Sequence, residues 1–510
     1  MDHVSGAVNA SRSATLFRIR SLRVRVIVLS CLGTAAALFA LVNLLALATP
    51  PVPTAPLRLS RLIIHDVAIV NPDSGGRTTT GQTVVIEHDR IVYAGPADAT
   101  AVSLPGRRID GRGKFLIPGL WDAHVHTLRL APQLQLPLLI ANGVTSVRDL
   151  GDTCSWSTSL SCVSPAGAWQ RAIGNGTMVG PRLQEVVTYH LEEPPADGAE
   201  LCTLLQALAT RGERMIKLQL DPTIEARDAT ELLRVADSMG LRVGGHLPFT
   251  VDLASSPVAF VSVEHDWTLL PQCSRARASF DDRTASKPAL LRVFDGAHCD
   301  SLLATMRARG TAYVPTHVAS TGQDALFASG PPASMNSSRF IPAPQRMAWQ
   351  IIRAAGTVPE LEARDLIAYH AAALQLTKRA HDAGVVVLAG SDAIDPEVVH
   401  GFALHEELEY LVRAGLTPAQ VLAAATTVPA RFMQVDSVVG YIAAGQRADL
   451  VLLDADPLVD IRNSRRIHTV VFDGRVFGPA ERTALFTFVE AQAHRLTIAS
   501  RFLRCLWYGG

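Results

Sequence analysis

The stretch Asp122-Ala123-His124-Val125-His126 holds three residues of metal-binding type, and their spacing decides what they can do together. On an extended strand successive side chains alternate faces, so Asp122, His124 and His126 share one side. Two imidazoles two residues apart at a strand end can grip one metal ion from the same side. Alone, the pair is equally compatible with structural histidines. The elements around it must supply the remaining ligands.

From 116 to 434 the sequence alternates strands with helical segments. The spacing predicts strands over Phe115–His126, Val144–Leu150, Arg182–Thr188, Arg214–Leu220, Leu241–His246, Phe260–His265, Ala312–His317 and Val385–Asp392. Ala/Leu/Arg-rich helical stretches such as Glu200–Arg211, Ile224–Met239, Ser301–Arg309 and Asp365–Ala383 fall between them. Eight strands alternating with helices predict a (β/α)8 TIM barrel. A doubly wound open sheet is the alternative, but no Gly-rich phosphate loop follows the first strand. The Pro/Ser/Gly-rich segment 321–360 is expected to be an insertion over one mouth of the barrel.

Chemistry in such a barrel sits at the C-terminal strand ends. The polar residues expected there are His124, His126, Lys217, His246, His265 and Asp392. Each has a plainer reading. Asp122 lies deeper and would orient an imidazole, and His246 in Gly244-Gly245-His246 could be a loop residue. Glu264-His265-Asp266 could be polar surface, and Asp392 a helix N-cap. Lys217 is harder to dismiss, because the chain uses only four lysines. In Met215-Ile216-Lys217-Leu218-Gln219-Leu220 the apolar Ile216, Leu218 and Leu220 must face the helices, which turns Lys217 inward. A buried unpaired ammonium is costly. Lys217 is therefore either salt-bridged or carbamylated by carbon dioxide into an anion that can bridge two cations.

Four histidines, one aspartate and one strand lysine at successive strand ends resemble the amidohydrolase superfamily, in its binuclear members with HxH, Lys, His, His and Asp ligands. Gly143-Val144-Thr145-Ser146-Val147-Arg148-Asp149 is similar to the family's second strand. Ala414-Gly415-Leu416-Thr417-Pro418, Ala423-Ala424-Ala425-Thr426, Gly445-Gln446-Arg447-Ala448-Asp449-Leu450 and Asp456-Pro457-Leu458 are similar to its closing motifs. The resemblance spans about residues 58–478, and the imidazolonepropionase-like, exported branch fits best. It implies His124, His126 and Asp392 on the more buried metal and His246 and His265 on the more exposed one, with carbamylated Lys217 and a hydroxide between. Two zinc ions suit such ligands, and manganese, iron or cobalt are not excluded. It further implies hydrolysis of an amide-like C–N bond, with Asp392 as the proton carrier. The third-strand loop Tyr189-His190-Leu191-Glu192-Glu193 lacks the Gly-Gly-His of many relatives, so His190 is a candidate substrate contact, as is His317.

Residues 57–115 predict short strands over Arg61–Val70, Thr83–His88, Arg90–Ala94 and Arg108–Gly111, and a β pattern returns from 435 to 480. Asp473-Gly474 there marks a hairpin. The two flanks are expected to form one composite β domain, with 481–510 a helical tail. Residues 1–56 differ: Arg12, Arg18, Arg20, Arg23 and Arg25 precede an uncharged run, Val26–Ala48, and then a Pro-rich linker, Thr49–Pro56. The run is long enough to span a bilayer, and its positive flank predicts an extracytoplasmic catalytic domain. It reads as an uncleaved transmembrane anchor, with a cleaved signal giving a secreted or periplasmic protein as the alternative. Of seven cysteines, Cys154 with Cys162 and Cys273 with Cys299 are the expected disulfide pairs. None has CxxC spacing.

Lys+Arg and Asp+Glu both number 47, so no basic surplus points to nucleic acid. The expected partners are a small-molecule substrate and, through the N-terminal segment, a membrane; oligomerisation is left open. Three functions remain: an exported binuclear amidohydrolase for small amides, dipeptides or N-acyl amino acids; a mononuclear deaminase or cyclic-amide hydrolase with Lys217 as a structural cation; and an inactive, membrane-tethered binding barrel.

Overall fold

The structure is a computed structural model. It describes residues 29–30, 33–73, 75–97, 104–128, 131–151, 164–191, 195, 197–219, 226–254, 259–277, 286–321, 337–355 and 363–508. The first flank forms β1 (Arg61–Asn71), β2 (Arg77–Glu87), β3 (Arg90–Pro96), β4 (Arg107–Asp110) and β5 (Phe115–Pro118). The parallel strands follow: β6 (Leu120–Val125), β7 (Val144–Asp149), β8 (Arg182–Val186), β9 (His190–Leu191), β10 (Met215–Leu218), β11 (Arg242–Gly245), β12 (Ser262–Glu264) and β13 (Ala312–Val314). The second flank adds β14 (Leu450–Leu453), β15 (Ile467–Phe472) and β16 (Arg475–Phe477).

The parallel strands form two ladders, β6-β7-β8 and β9-β10-β11-β12-β13. The expected third strand is divided: β8 pairs with β7, while β9 pairs with β10. The expected eighth strand makes no ladder of its own. It touches its neighbours through the single bridges Tyr313–Val387 and Val125–Ala393. Backbone bonds from Ala123 N to Ala389 O (2.9 Å) and from His126 N to Ala393 O (2.8 Å) add to them. Among the described residues the ladders do not close a barrel, and the architecture is a TIM-barrel-like α/β fold. β6, β7, β9, β10, β12 and β13 are buried on both faces, as parallel strands flanked by helices are, whereas β8 is half-buried along its length. Ile216 and Leu218 join the large apolar core with Leu201, Leu205, Leu232 and Leu233 of the neighbouring helices.

A separate eight-stranded sheet runs β16-β15-β14-β5-β1-β2-β3, with β4 beside β1. Its two sequence segments meet where β14 pairs antiparallel with β5, Leu450 opposite Pro118 and Leu453 opposite Phe115. Period-two alternation assigns the faces. Leu450 and Leu452 pack with Leu62, Ile64 and Val84 in the sheet's own layer, whereas Val451 and Leu453 join the core of the parallel strands. β2 begins at Arg77, six residues before the apolar run of Thr83–His88, because Thr78 and Thr79 pair with Val70 and Ile69 of β1 along a solvent-facing stretch. Asp473 and Gly474 both have positive φ (51° and 70°), as a tight two-residue hairpin turn requires.

Residues 33–47 are helical, and among the described residues no helix is long and apolar enough to cross a membrane. The expected span starts at Val26, and 1–28 and 31–32 lie outside the described residues, so a transmembrane anchor is not supported. The expected linker is no free tether. Val179 N donates to Pro53 O (3.1 Å), Ala55 N to Gly176 O (2.9 Å) and Leu59 N to Gly474 O (2.8 Å), strapping it to the body. Cys273 and Cys299 form a disulfide that links the end of helix Asp266–Gln272 to helix Gly296–Arg309. Cys154 and Cys162 lie outside the described residues. Within the expected insertion, helix Ala343–Ala355 follows Phe340, which stacks on Phe402 at 5.4 Å and lies 5.8 Å from Phe486. The tail forms helices Pro479–Ala493 and Leu496–Tyr508, and Val489, Ile498 and Phe502 pack into the same apolar cluster.

Candidate metal centre

β6 carries His124 near its end and His126 directly follows it, their rings 5.4 Å apart. Opposite them β10 presents Lys217, buried, with Nζ 3.3 Å from Nε2 of each histidine. Asp392 Oδ1 lies 3.1 Å from the same two nitrogens. His265 completes the inner group, its Nδ1 3.5 Å from Asp392 Oδ2 and its ring 4.8 Å from that of His124. Ligand atoms of His124, His265 and Asp392 all lie within 4.8 Å of one another. His246 is half-buried and meets the group through His265, ring to ring at 4.8 Å. Trp267 walls this side, stacked on His265 at 5.2 Å and edge-on to His246 at 4.7 Å.

The backbone is bent to make this convergence. His265 (φ 70°), Thr316 (φ 48°) and Asp392 (φ 58°) occupy the left-handed region, which costs a non-glycine residue roughly 1–3 kcal/mol. Such residues cluster where function over-determines the backbone. Gly245 has φ 121°, and a Cβ there would lie 2.4 Å from Leu218 O. That close approach lets His246 N donate to the same carbonyl at 2.8 Å. A Cβ on Gly390 would lie 2.8 Å from His124 Cβ, so the residue before Ser391 must be glycine to seat the Asp392 turn against β6.

Asp122 does not orient an imidazole, as its depth suggested. Its carboxylate accepts from Ser391 N (2.8 Å) and Ser391 Oγ (2.5 Å) and so fixes the turn that carries Asp392. Burial pushes its pKa up to about 7.

Electrostatics favour cation binding. Burial, then the charge of Lys217, pushes His126 down to about 4. Burial takes His265 down to about 3 and His246 well below the ordinary histidine range. Burial also lowers Lys217, against the pull of Asp392 and Glu264. Burial raises the Asp392 carboxyl, but His124 and His265 outweigh it and keep Asp392 ionised. Burial would lower His124 too, but Asp392 outweighs it and raises that imidazole, while His126, His246 and His265 stay neutral. Imidazoles around a carboxylate are a donor set that suits zinc and related divalent ions. The residues present fit the metal that the chemistry asks for.

The two expected substrate contacts are placed differently. His190 borders the site, its ring edge-on to His126 at 6.0 Å, with Nε2 donating to Leu150 O at 2.6 Å. His317 is turned away. Its Nδ1 lies 2.9 Å from Asp266 Oδ2 and its Nε2 2.8 Å from Thr377 Oγ1, so both ring nitrogens are engaged inside the protein.

Sequence reasoning missed Glu264 and Arg148. The run Glu264-His265-Asp266 is equally compatible with polar surface, yet Glu264 is fully buried, 2.9 Å from His124 Nδ1 and 2.9 Å from Arg148 NH1. Alternation along β12 puts Glu264 on the side of Ser262, away from Val263, and the inward-charge argument used for Lys217 would have found it.

Comparisons with known proteins bear on the same region. Residues 293–477 match the Amidohydrolase family. Imidazolonepropionase of Rubrobacter xylanophilus is 25% identical over 419 residues, covering 77% of this chain and 92% of that protein. Among solved structures, the bottromycin amidohydrolase aligns with TM-score 0.61 at 21% identity, over 89% of this chain and 93% of its own. A Xaa-Pro dipeptidase with bound methionine in the active site aligns with TM-score 0.57 at 18% identity, over 82% of this chain and 100% of its own. At these identities the structural likeness concerns the fold. The family match over 293–477 and the similarity along most of an imidazolonepropionase support the amidohydrolase superfamily, and a hydrolase, for this chain.

Proposed function

We propose that this metal-dependent amidohydrolase hydrolyses an amide-like C–N bond in a small amide, dipeptide or N-acyl amino acid. The proposed ligands of two divalent ions, zinc foremost, are His124, His126, Lys217, His246, His265 and Asp392. One observation carries the reading: Lys217 Nζ and Asp392 Oδ1 both stand within 3.3 Å of the Nε2 atoms of His124 and His126. A lysine amine there is placed to add to carbon dioxide. The buried ammonium first gives up a proton to become the free amine. The new N–C bond then forms, a second N–H proton leaves to solvent, and the product is a carbamate anion in place of a repelling cation.

Bound there, divalent metal supplies Lewis acidity and makes hydroxide available near neutral pH. Asp392 is buried, ionised and central, so it can accept the proton of the attacking water and deliver it to the leaving nitrogen. Trp267 packs against the rings of His265 and His246 on one side of the site. In this reading 116–434 is the catalytic unit, while 57–115 with 435–480 forms an accessory β domain.

Metal analysis tests the reading. Two equivalents per chain, activity lost to chelators and dependence on bicarbonate support it. A reading with one metal is favoured by the compact trio His124, His265 and Asp392, and one equivalent without bicarbonate dependence would replace the first reading with it. A screen of dipeptides and N-acyl amino acids identifies the substrate. Export is likewise proposed, with the catalytic unit outside the cytoplasm, attached or released by cleavage near Ala48. The arginines before the uncharged run and the Cys273–Cys299 disulfide support it. A C-terminal reporter active only in the cytoplasm would overturn it.

A further inference from the structure

The three inner imidazoles are backed in three different ways. His126 Nδ1 donates to the neutral carbonyl of Gly151 at 3.0 Å, and His265 Nδ1 lies 2.7 Å from the hydroxyl of Thr316. His124 Nδ1 faces a carboxylate outside the proposed ligand set, Glu264 Oε2 at 2.9 Å, whereas the carboxylate near His265 Nδ1 is that of Asp392 itself, at 3.5 Å. Both residues are wholly buried. Nothing in the proposed chemistry uses Glu264, yet a buried carboxylate is retained only with strong partners.

Glu264 is the inner end of a charged chain that crosses the interior of the parallel strands. Its Oε1 accepts from Arg148 NH1 (2.9 Å) and from Ser262 Oγ (2.5 Å). Arg148 also donates from NH2 to Ser262 Oγ (2.8 Å) and from Nε to Glu185 Oε2 (3.0 Å). Glu185 ends the chain at the half-exposed Arg242. β7, β8, β11 and β12 are thereby tied to one another, and Glu264 has no freedom to swing away from His124. The left-handed backbone at His265 matters here, because it lets neighbouring residues serve one site: Glu264 from inside and His265 from the rim.

We propose that Glu264 is a positioning residue for His124. Its carboxylate keeps the proton of that imidazole on Nδ1, so that Nε2 points at Lys217 and Asp392 as the ligand atom. A proton absent from Nδ1 would set a nitrogen lone pair against carboxylate oxygen at 2.9 Å. The arrangement also enriches Nε2 in electron density, which makes His124 a stronger ligand than His126 or His265. The inference rests on the metal-site reading for its consequence, although its structural core concerns the protein without metal.

The test uses the full chain labelled with 15N-histidine, with the His124 signals assigned by their loss in His124→Asn. In metal-free protein His124 Nδ1 is expected to carry a strongly deshielded, slowly exchanging proton. A bare Nδ1 overturns the proposal, and this readout needs no other variant. Chelator competition then measures metal affinity. Glu264→Gln is expected to weaken it about 10- to 100-fold, while Glu185→Gln, at the far end of the chain, leaves it unchanged. If Glu264→Gln does not fold, the charge-balanced pair Glu264→Gln with Arg148→Met takes its place. Folded protein with undiminished affinity overturns the proposal. Wild-type protein that binds no metal would instead refute the metal-site reading, and the Nδ1 proton still decides the placement of Glu264.

Discussion

Two buried polar clusters lie one residue apart along the chain and are built on opposite terms. His265 and Thr316 face the candidate metal centre, whereas the next residues, Asp266 and His317, face the helices behind it. In the second cluster His317 bridges Asp266 and Thr377, Ser320 Oγ donates to the other Asp266 oxygen at 2.5 Å, and Glu407 accepts from Val318 N at 2.9 Å. Burial opposes both charges of the Asp266–His317 pair, but their mutual contact outweighs it, lowering the acid and raising the base. In the first cluster the groups do not satisfy one another: a lysine amine and three imidazoles converge on one carboxylate. Burial and charged residues are common to both. What separates a clamp from a binding site is whether donors and acceptors match, and only the mismatched set calls for a cation.

That contrast can be broken by mutation. The largest expected effect is from Asp392→Asn, which should lower kcat/KM about a thousandfold without lowering the melting temperature, since it removes a group held for chemistry. A variant that instead unfolds with full specific activity would make Asp392 part of a clamp. Next comes His317→Leu. It strands the Asp266 carboxylate and should cost about 3–5 kcal/mol by denaturant unfolding, with kcat of the folded fraction kept within about twofold. A large fall in kcat would return His317 to the substrate site.

Reducing the disulfide, or Cys273→Ser with Cys299→Ser, opens a loop with sequence separation 26 behind the same helix. The chain-entropy cost is about 3.5 kcal/mol, again in stability and not in metal content. The smallest effect concerns Glu407, whose pKa burial pushes up to about 7 from 4.5. A raised carboxyl imposes no penalty below 4.5, where both states are protonated. Its penalty grows as pH rises from 4.5 to 7, while the unfolded state alone ionises, and is complete above that. Glu407→Gln keeps the acceptor for Val318 N, so it should stabilise the protein at pH 8 and leave it unchanged near pH 4. An equal shift at both values would show that Glu407 is not buried as described.

Much of the site was legible because period-two alternation reports which face a side chain occupies. It set His124 and His126 on one side and turned Lys217 inward, and all three meet in the structure. The same alternation sets Glu264 on the side of Ser262, but its place in the polar run Glu264-His265-Asp266 is equally that of a surface residue. Alternation also could not anticipate that the third strand divides between Val186 and His190, or that Val385–Asp392 joins its neighbours by single bridges. Those outcomes depend on how the ladders fit one another, which no local pattern encodes.

By itself the sequence determined the candidate ligand types, the strands that bear most of them and the inward charge of Lys217, because composition and periodicity are local properties. Only the tertiary structure decided that Asp122 holds the Asp392 turn, that His317 serves a clamp, and that the expected linker is strapped to the body. Each of these depends on a partner distant in the chain, and a hydrogen bond between distant segments exists only once the fold has brought them together.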